Sequence, residues 1–172
     1  GDAMGILNIT RRPRAVVALA LMVWGVSFFL HFFWEMVQVP FFSGMAEARH
    51  WDVVWLCMRA TLGDAHITLG AYTAAASFSK NWFWVAKSWR TSTLIGYLSA
   101  GLIATIIFEY WATGGGQRWS YSELMPELMF TGIGVLPLAK WVVSPMLLAY
   151  SVRWMFIGWS VLKAEQNKIA EN

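Results

Sequence analysis

The sequence contains few charged residues and almost no cysteine. Asp, Glu, Lys and Arg make up 13% of the 172 residues, whereas soluble domains carry about 25%. A chain with so little charge cannot cover a globular surface with hydrated side chains, which excludes an ordinary soluble domain. Cys57 is the only cysteine, so an intramolecular disulfide, a CxxC redox motif and a cysteine-rich zinc site are excluded as well.

The excess of positive over negative charge is also small. The formal net charge of +3 is small, and the basic residues lie between apolar runs, as the anchors of membrane loops do. They do not indicate a nucleic-acid surface. What is abundant is apolar: 58% hydrophobic residues, with 12 Trp and 11 Phe. Because Trp concentrates at membrane–water interfaces, the composition indicates an integral membrane protein that is surrounded by lipid.

Four segments are apolar over a membrane-spanning length. A spanning helix needs about 20 mostly apolar residues, and the segments near 15–39, 53–78, 92–113 and 127–162 qualify. The first is too long for the apolar part of a cleavable signal peptide. The sequence therefore predicts an all-α, single-domain, polytopic bundle of four transmembrane helices. The fourth stretch would overshoot the bilayer as one straight helix, so we expect a kink or break near Pro137 or Pro145, or a short interfacial piece before the spanning helix.

The basic residues predict the orientation. They fall in alternate connections, at Arg11, Arg12 and Arg14, at Lys80, Lys87 and Arg90, and at Lys163 and Lys168. With four spans these positions lie on one side, and basic loops favour the cytoplasmic side. We therefore expect a protein of the bacterial inner membrane with both termini in the cytoplasm.

Ionisable residues inside the apolar segments are the candidate functional groups, because a charge in hydrocarbon is costly and is usually paired or functional. The predicted topology places those of the first three segments in the outer half of the membrane, at a similar depth. The loop 114–126 would close over the same region. This shared depth predicts one polar pocket near the outer face, containing His31, Glu35, Arg59, Asp64, His66 and Glu109.

Helical spacing sorts these residues further. His31 and Glu35 are four residues apart, so they share one helix face. Asp64 and His66 are two apart and point in nearly opposite directions on a regular helix, whereas Arg59 and His66 share a face. We therefore expect His66, rather than Asp64, to face the pocket, unless Gly63 loosens the helix. The side chains predicted to converge are His31, Glu35, His66 and Glu109.

Three functions fit such a pocket. The first is acid–base chemistry on an apolar substrate, because desolvated carboxylates and imidazoles exchange protons near neutral pH. The second is a zinc, iron or manganese site, which the ligand types suit although the spacing matches no metal motif. The third is a structural network of ion pairs, such as His31–Glu35–Arg59 and Asp64–His66–Glu109. The catalytic candidates are His31, Glu35, Asp64, His66 and Glu109, and the binding candidates are Gln38, Arg59, Trp111, Trp119 and Tyr121.

The arrangement resembles the emopamil-binding family of sterol isomerases. The resemblance lies in His31-x3-Glu35 on an early helix, an acidic residue on the next, and the helix end Glu109-Tyr110-Trp111, followed by a Pro-containing loop and an aromatic helix with Pro137. In that family such His and Glu residues line a cavity within the membrane and shuttle a proton on a sterol double bond. The resemblance implies candidate proton-shuttle roles for His31, Glu35 and Glu109 only.

The sequence therefore predicts a membrane protein whose polar pocket binds or processes a small apolar molecule, such as an isoprenoid or lipid. The alternatives are a non-catalytic accessory subunit, which packs through its Trp-rich surface against a larger membrane complex, and a membrane-embedded metal site. The expected partners are membrane lipids, an apolar ligand and other membrane subunits, without nucleic acid. No cofactor is identified. Lys140 is expected to reach water or a lipid phosphate through the predicted helix break.

Overall fold

The computed structural model describes residues 13–86, 89–115, 118–129 and 131–170. Four long helices contain most of them: α1 (Pro13–Gln38), α2 (His50–Phe78), α3 (Thr91–Tyr110) and α4 (Val135–Ala170). The all-α prediction is confirmed. Three stretches, Pro13–Phe41, Thr91–Gly114 and Val135–Ala170, are long and apolar enough to cross a membrane. The chain therefore has the character of an integral membrane protein.

Helix α2 differs from the other three. It has 29 residues, but it is rich in Ala, Thr and Gly and carries Arg59, Asp64 and His66. These residues lower its hydropathy, and in the described part of the chain α2 is not among the helices apolar enough to span. It packs along α1 on one side and α3 on the other, while α4 packs against α1 and α3. Each helix thus touches two neighbours in a closed bundle, and a fourth crossing by α2 stays a prediction.

Helix α4 is one continuous helix of 36 residues. Of the predicted kink or break, the break is wrong: Pro137 lies in the first turn, where its missing N–H is not needed, and Pro145 lies within the helix without ending it. A kink at Pro145 stays a prediction. At 1.5 Å per residue the helix is about 54 Å long, well beyond a hydrocarbon core of about 30 Å. All residues from 157 to 170 are exposed, so α4 extends past the bundle.

The helix also starts later than predicted, because residues before Val135 form a hairpin. Strand β1 (Glu127–Leu128) pairs antiparallel with β2 (Ile133–Gly134), with Glu127 opposite Gly134 and Leu128 opposite Ile133. Gly132 turns the chain between them with φ +66°, a conformation that glycine adopts without a steric penalty. The backbone N–H of Val135 then donates to the carbonyl of Pro126 at 2.7 Å.

The α1–α2 and α3–α4 connections are joined to each other at one end of the bundle. Phe42 forms an isolated antiparallel bridge with Tyr121. Ser43 donates its N–H to the carbonyl of Ser120 at 2.9 Å, and Ser122 donates its N–H to the carbonyl of Phe41 at 3.0 Å. We call residues 39–45 and 118–129 together the cap. The backbone bonds between its two segments hold this end closed.

The opposite end of the bundle is filled by apolar side chains. Tyr72, Trp84 and Tyr97 form an aromatic group there, with ring centroids 5.3 Å apart for Tyr72–Trp84 and 5.5 Å apart for Trp84–Tyr97. Trp84 belongs to a short 3-10 turn, Trp84–Ala86, in the α2–α3 connection. The buried aliphatic residues packed with this group include Leu19, Val23, Leu148 and Val152. Away from the cap, the bundle therefore has an ordinary apolar core.

Candidate functional site

Three charged side chains meet in the interior of the bundle, toward the cap. The ammonium of Lys140 on α4 donates to Glu35 Oε1 on α1 at 2.6 Å and to Asp64 Oδ2 on α2 at 2.8 Å. The side chains of Lys140, Glu35 and Asp64 are only 7%, 11% and 13% exposed. We call these three residues the ion cluster. Because water screens it little, its internal attraction is much stronger than that of a surface salt bridge.

His31 lies beside the ion cluster, one helical turn before Glu35. Its Nε2 is 3.0 Å from Thr68 Oγ1 on α2, and its Nδ1 is 3.9 Å from Asp64 Oδ2, which is too far for a direct hydrogen bond. Within the described residues, Nδ1 has no hydrogen-bond partner, although the side chain is 1% exposed. Thr68 thus holds one ring nitrogen, and the other lies near the carboxylate.

The aromatic wall of this site depends on a glycine. The Trp141 ring lies next to His31, with centroids 5.1 Å apart, and it is 2% exposed. It also lies against Gly101 on α3, where an added Cβ would come within 2.8 Å of Trp141 Cζ3. The absence of a side chain at position 101 therefore lets Trp141 lie against α3 and cover the imidazole.

A second polar group connects the site to the cap. Glu109, near the end of α3, is 8% exposed. It accepts a short hydrogen bond from the Tyr121 hydroxyl and a longer one, at 3.4 Å, from Trp119 Nε1. Burial of the Tyr121 phenol raises its pKa, and the hydrogen bond to Glu109 raises it further, so the phenol stays protonated as a donor. The structure thus brings Trp119 and Tyr121 onto Glu109, over the capped end of the bundle.

Several buried polar atoms in the bundle interior have no partner among the described residues. They include Ser27 Oγ and Gln38 Oε1 on α1, Thr61 Oγ1 on α2 and Thr105 Oγ1 on α3. On α1 these two residues lie on the same buried face as His31. Since buried polar groups in proteins are nearly always hydrogen-bonded, an interior with such unpaired groups is suited to the polar atoms of water or of a ligand.

An open cavity of about 370 Å³ lies where α1 ends and α2 begins, beside the cap. Its wall is largely apolar and includes Met36, Val39, Pro40, Met45 and Val53, with His50 as its basic member. Met36 directly follows Glu35 in α1. The cavity has the lining expected for an apolar chain, close in sequence to the ion cluster.

His66 and Arg59 do not join the site, so the predicted inward orientation of His66 is wrong. Both side chains are exposed on the outside of α2. His66 Nδ1 lies 2.6 Å from the carbonyl of Leu62, and its ring meets Trp24 edge-on. The helix is regular at Gly63, so residues two apart face opposite ways, and packing has turned Asp64 inward instead. The predicted groups His31–Glu35–Arg59 and Asp64–His66–Glu109 are therefore not formed.

The remaining predicted site residues are divided between the interior and the surface. Gln38 is buried at the end of α1, whereas Trp111 is exposed at the end of α3. The Arg118 guanidinium lies 5.0 Å from the centroid of the Trp111 ring, a cation–π contact on the surface. Trp111 thus lies on the periphery, away from the interior polar groups.

Lys140 is the site residue that the sequence did not predict. It was expected to reach water or a lipid phosphate, but it is buried. The signal was the unmatched charge: two carboxylates at one depth require a cation, and Lys140 is the only Lys or Arg between Arg118 and Arg153. The predicted helix start near residue 127 displaced Lys140 from that depth. With the observed start at Val135, it lies in the second turn, close to the cap.

A metal centre finds no support in the described residues, where no group of three or more His, Cys, Asp or Glu side chains could hold an ion. The ammonium of Lys140 already lies between Glu35 and Asp64, where a cation would bind. No protein-family model, curated protein or solved structure matches the chain. The resemblance to the emopamil-binding family therefore stays an expectation from the residues.

Proposed function

We propose that the protein binds a small, largely apolar molecule, such as an isoprenoid or lipid, beside the ion cluster, and that the cluster exchanges a proton with it. The observation that carries this proposal is the pairing of buried Lys140 with two carboxylates from different helices. Ionisable groups within membrane helices are costly, and they commonly mark substrate sites and proton relays.

A purely structural role explains the ion cluster poorly. Replacing a buried ion pair with apolar residues of similar volume is often neutral or stabilising. Four-helix packing at this position therefore does not require charge. Moreover, burying the unpaired polar atoms of Gln38, Thr61 and Thr105 costs desolvation free energy, and no hydrogen bond within the described residues offsets it. A ligand or substrate that contacts these groups would explain why they are polar and buried.

The charges of the ion cluster favour proton exchange. Glu35 and Asp64 carry two negative charges when ionised, and Lys140 carries one positive charge. Lys140 balances only one of the two carboxylate charges, so the second carboxylate is the group that we propose exchanges a proton with the ligand. His31 lies beside Asp64, with Nδ1 3.9 Å from Oδ2, so a ligand group placed between them contacts both. The resemblance to the emopamil-binding family supports an isomerase-like reaction as the class, with His31 and Glu35 in proton transfer.

We also propose that all four helices cross the membrane, with both termini in the cytoplasm of a bacterial cell and the cap outside. The packing of α2 between α1 and α3 along its length supports this, as do the basic residues at Lys80 and Arg90. Only one side of α2 then faces lipid, so it tolerates more polar residues than a helix that lipid surrounds.

The second candidate function is that of a non-catalytic accessory subunit. It is favoured by the extension of α4, where Trp159, Val161 and Leu162 are 71%, 62% and 64% exposed beyond the bundle. A membrane partner that covered these side chains would account for the length of α4. In this alternative the ion cluster only fixes the packing of α1, α2 and α4.

The test compares Glu35→Gln with wild type, both purified in mild detergent. Apolar molecules retained by each protein are extracted and identified by mass spectrometry, and melting temperatures are measured in parallel. If Glu35 acts on a ligand, the variant melts near the wild-type temperature, because Asp64 still pairs with Lys140, but it loses the retained molecule. Glu123→Gln, an exposed carboxylate in the cap, is the matched control. A fall in melting temperature with unchanged retention contradicts the proposal and favours the structural role.

A further inference from the structure

We infer that the head group recognised at this site is a neutral hydroxyl, held between Nδ1 of His31 and Oδ2 of Asp64. This inference rests on the proposed function and narrows its ligand to an apolar alcohol. It begins from a buried ring nitrogen without a partner among the described residues and from a carboxylate oxygen 3.9 Å away.

The distance fits one bridging oxygen. A gap of 3.9 Å between Nδ1 and Oδ2 is too long for one hydrogen bond, but an oxygen about 2.8 Å from each atom makes two normal ones. His31 cannot easily turn to close the gap itself. Thr68 Oγ1 holds Nε2 at 3.0 Å, and Trp141 packs against the ring. The two polar atoms are thus held at the separation that a shared oxygen requires.

The protons are arranged for a group that both accepts and donates. A neutral imidazole has one N–H, and the hydrogen bond of the other nitrogen decides which atom carries it. If the Thr68 hydroxyl donates to Nε2, the N–H lies on Nδ1 and faces the negative carboxylate, which is the favourable arrangement. A hydroxyl oxygen then accepts from Nδ1 and donates its own proton to Asp64 Oδ2. An ether or a hydrocarbon cannot do both.

Charge excludes the other common head groups. An ammonium has no acceptor for the N–H of Nδ1, and it would lie next to the Lys140 ammonium, which contacts the same Asp64 oxygen at 2.8 Å. A carboxylate or phosphate would lie next to Asp64 itself, and Lys140 is already shared between two carboxylates. Like charges in a low-dielectric interior repel strongly, whereas a hydroxyl adds no charge. The proposal places the hydrocarbon tail toward the cavity that includes Met36 and Val53, since Met36 directly follows Glu35 in α1.

The experiment uses four compounds with one 15-carbon tail: farnesol, farnesylamine, farnesoic acid and farnesyl methyl ether. Their binding to the full chain in lipid nanodiscs is measured by competition with radiolabelled farnesol. We expect farnesol to bind at least about tenfold tighter than the other three, because a hydrogen bond to a charged group contributes about that much to binding. His31→Leu should abolish this preference, whereas His66→Leu, which changes an exposed histidine, should keep it.

Each result has a defined meaning. Equal or tighter binding of the amine, the acid or the ether overturns the hydroxyl assignment but leaves an apolar-ligand site standing. If none of the four compounds binds, both the assignment and the proposed function fail. If His31→Leu does not fold, Thr68→Val decides instead, since it keeps the size of the side chain and removes only the hydroxyl that orients His31. Unchanged head-group preference in Thr68→Val would overturn the inference.

Discussion

Replacing Lys140 with Met tests whether the ion cluster is as tightly coupled as its geometry indicates. The substitution keeps most of the apolar stem but removes the ammonium that contacts Glu35 and Asp64 at 2.6 and 2.8 Å. Two buried carboxylates are then left facing each other without a cation. Breaking a buried pair in this way typically costs about 3–5 kcal/mol. For a chain of this size, that corresponds to a fall in melting temperature of roughly 6–20 °C.

The single cysteine makes the measurement direct. Cys57 is buried at 6% exposure, so a thiol-reactive fluorescent dye reports unfolding as the detergent-solubilised protein is heated. Lys163→Met, at an exposed position of α4, is the control and should melt with wild type. Adding Glu35→Gln and Asp64→Asn to Lys140→Met removes the uncompensated charge and should recover most of the loss. A Lys140→Met variant that melts within about 2 °C of wild type has lost less than about 1 kcal/mol of unfolding free energy, which would refute the reasoning. A triple variant no more stable than Lys140→Met would also refute it.

Three further predictions follow from the fold. Gly101→Ala should displace Trp141 and destabilise the protein by about 1–3 kcal/mol, whereas Gly96→Ala on the same helix, where a Cβ meets nothing within 4 Å, should be neutral or stabilising in the same thermal assay. Folding raises the pKa of Tyr121, so the stability that its phenol contributes is complete below about pH 10 and is lost as the pH rises further. The melting temperature of wild type should therefore fall more steeply above pH 10 than that of Tyr121→Phe. Equal slopes would contradict this. Reporter fusions at residue 85 and at the C-terminus should both read cytoplasmic, and opposite readings would refute the four-span topology.

The first three helices were predictable because a run of apolar residues is visible in the local sequence. The predicted segments 15–39, 53–78 and 92–113 agree closely with α1, α2 and α3, since apolar runs end at Pro40, at a polar loop and at consecutive glycines. The start of α4 was not predictable from hydropathy. Residues 127–134 are mostly apolar, and the hairpin they form is seen only from the pairing of β1 with β2 and the positive φ of Gly132.

The sequence predicts which site residues share a face of one helix. It does not predict which face of a helix packs inward against the other helices. His31 and Glu35 share a face whatever the rest of the fold does, because four residues make about one turn. Which of Asp64 and His66 faces inward depends on the rotation of α2 about its axis. That rotation is fixed by contacts with α1 and α3, and a single sequence does not display them. Lys140 was missed for a related reason: its depth in the bundle depends on where α4 begins.

The apolar core at the end of the bundle opposite the cap has a bioenergetic consequence. Tyr72, Trp84 and Tyr97, with Leu148 and Val152, pack in the core between the ion cluster and the α2–α3 connection. Within the described residues, no hydrogen bond links these three aromatic side chains to the ion cluster. Under the proposed proton exchange, protons would therefore enter and leave the ion cluster from the cap side. Chemistry of that kind would not move a proton across the membrane.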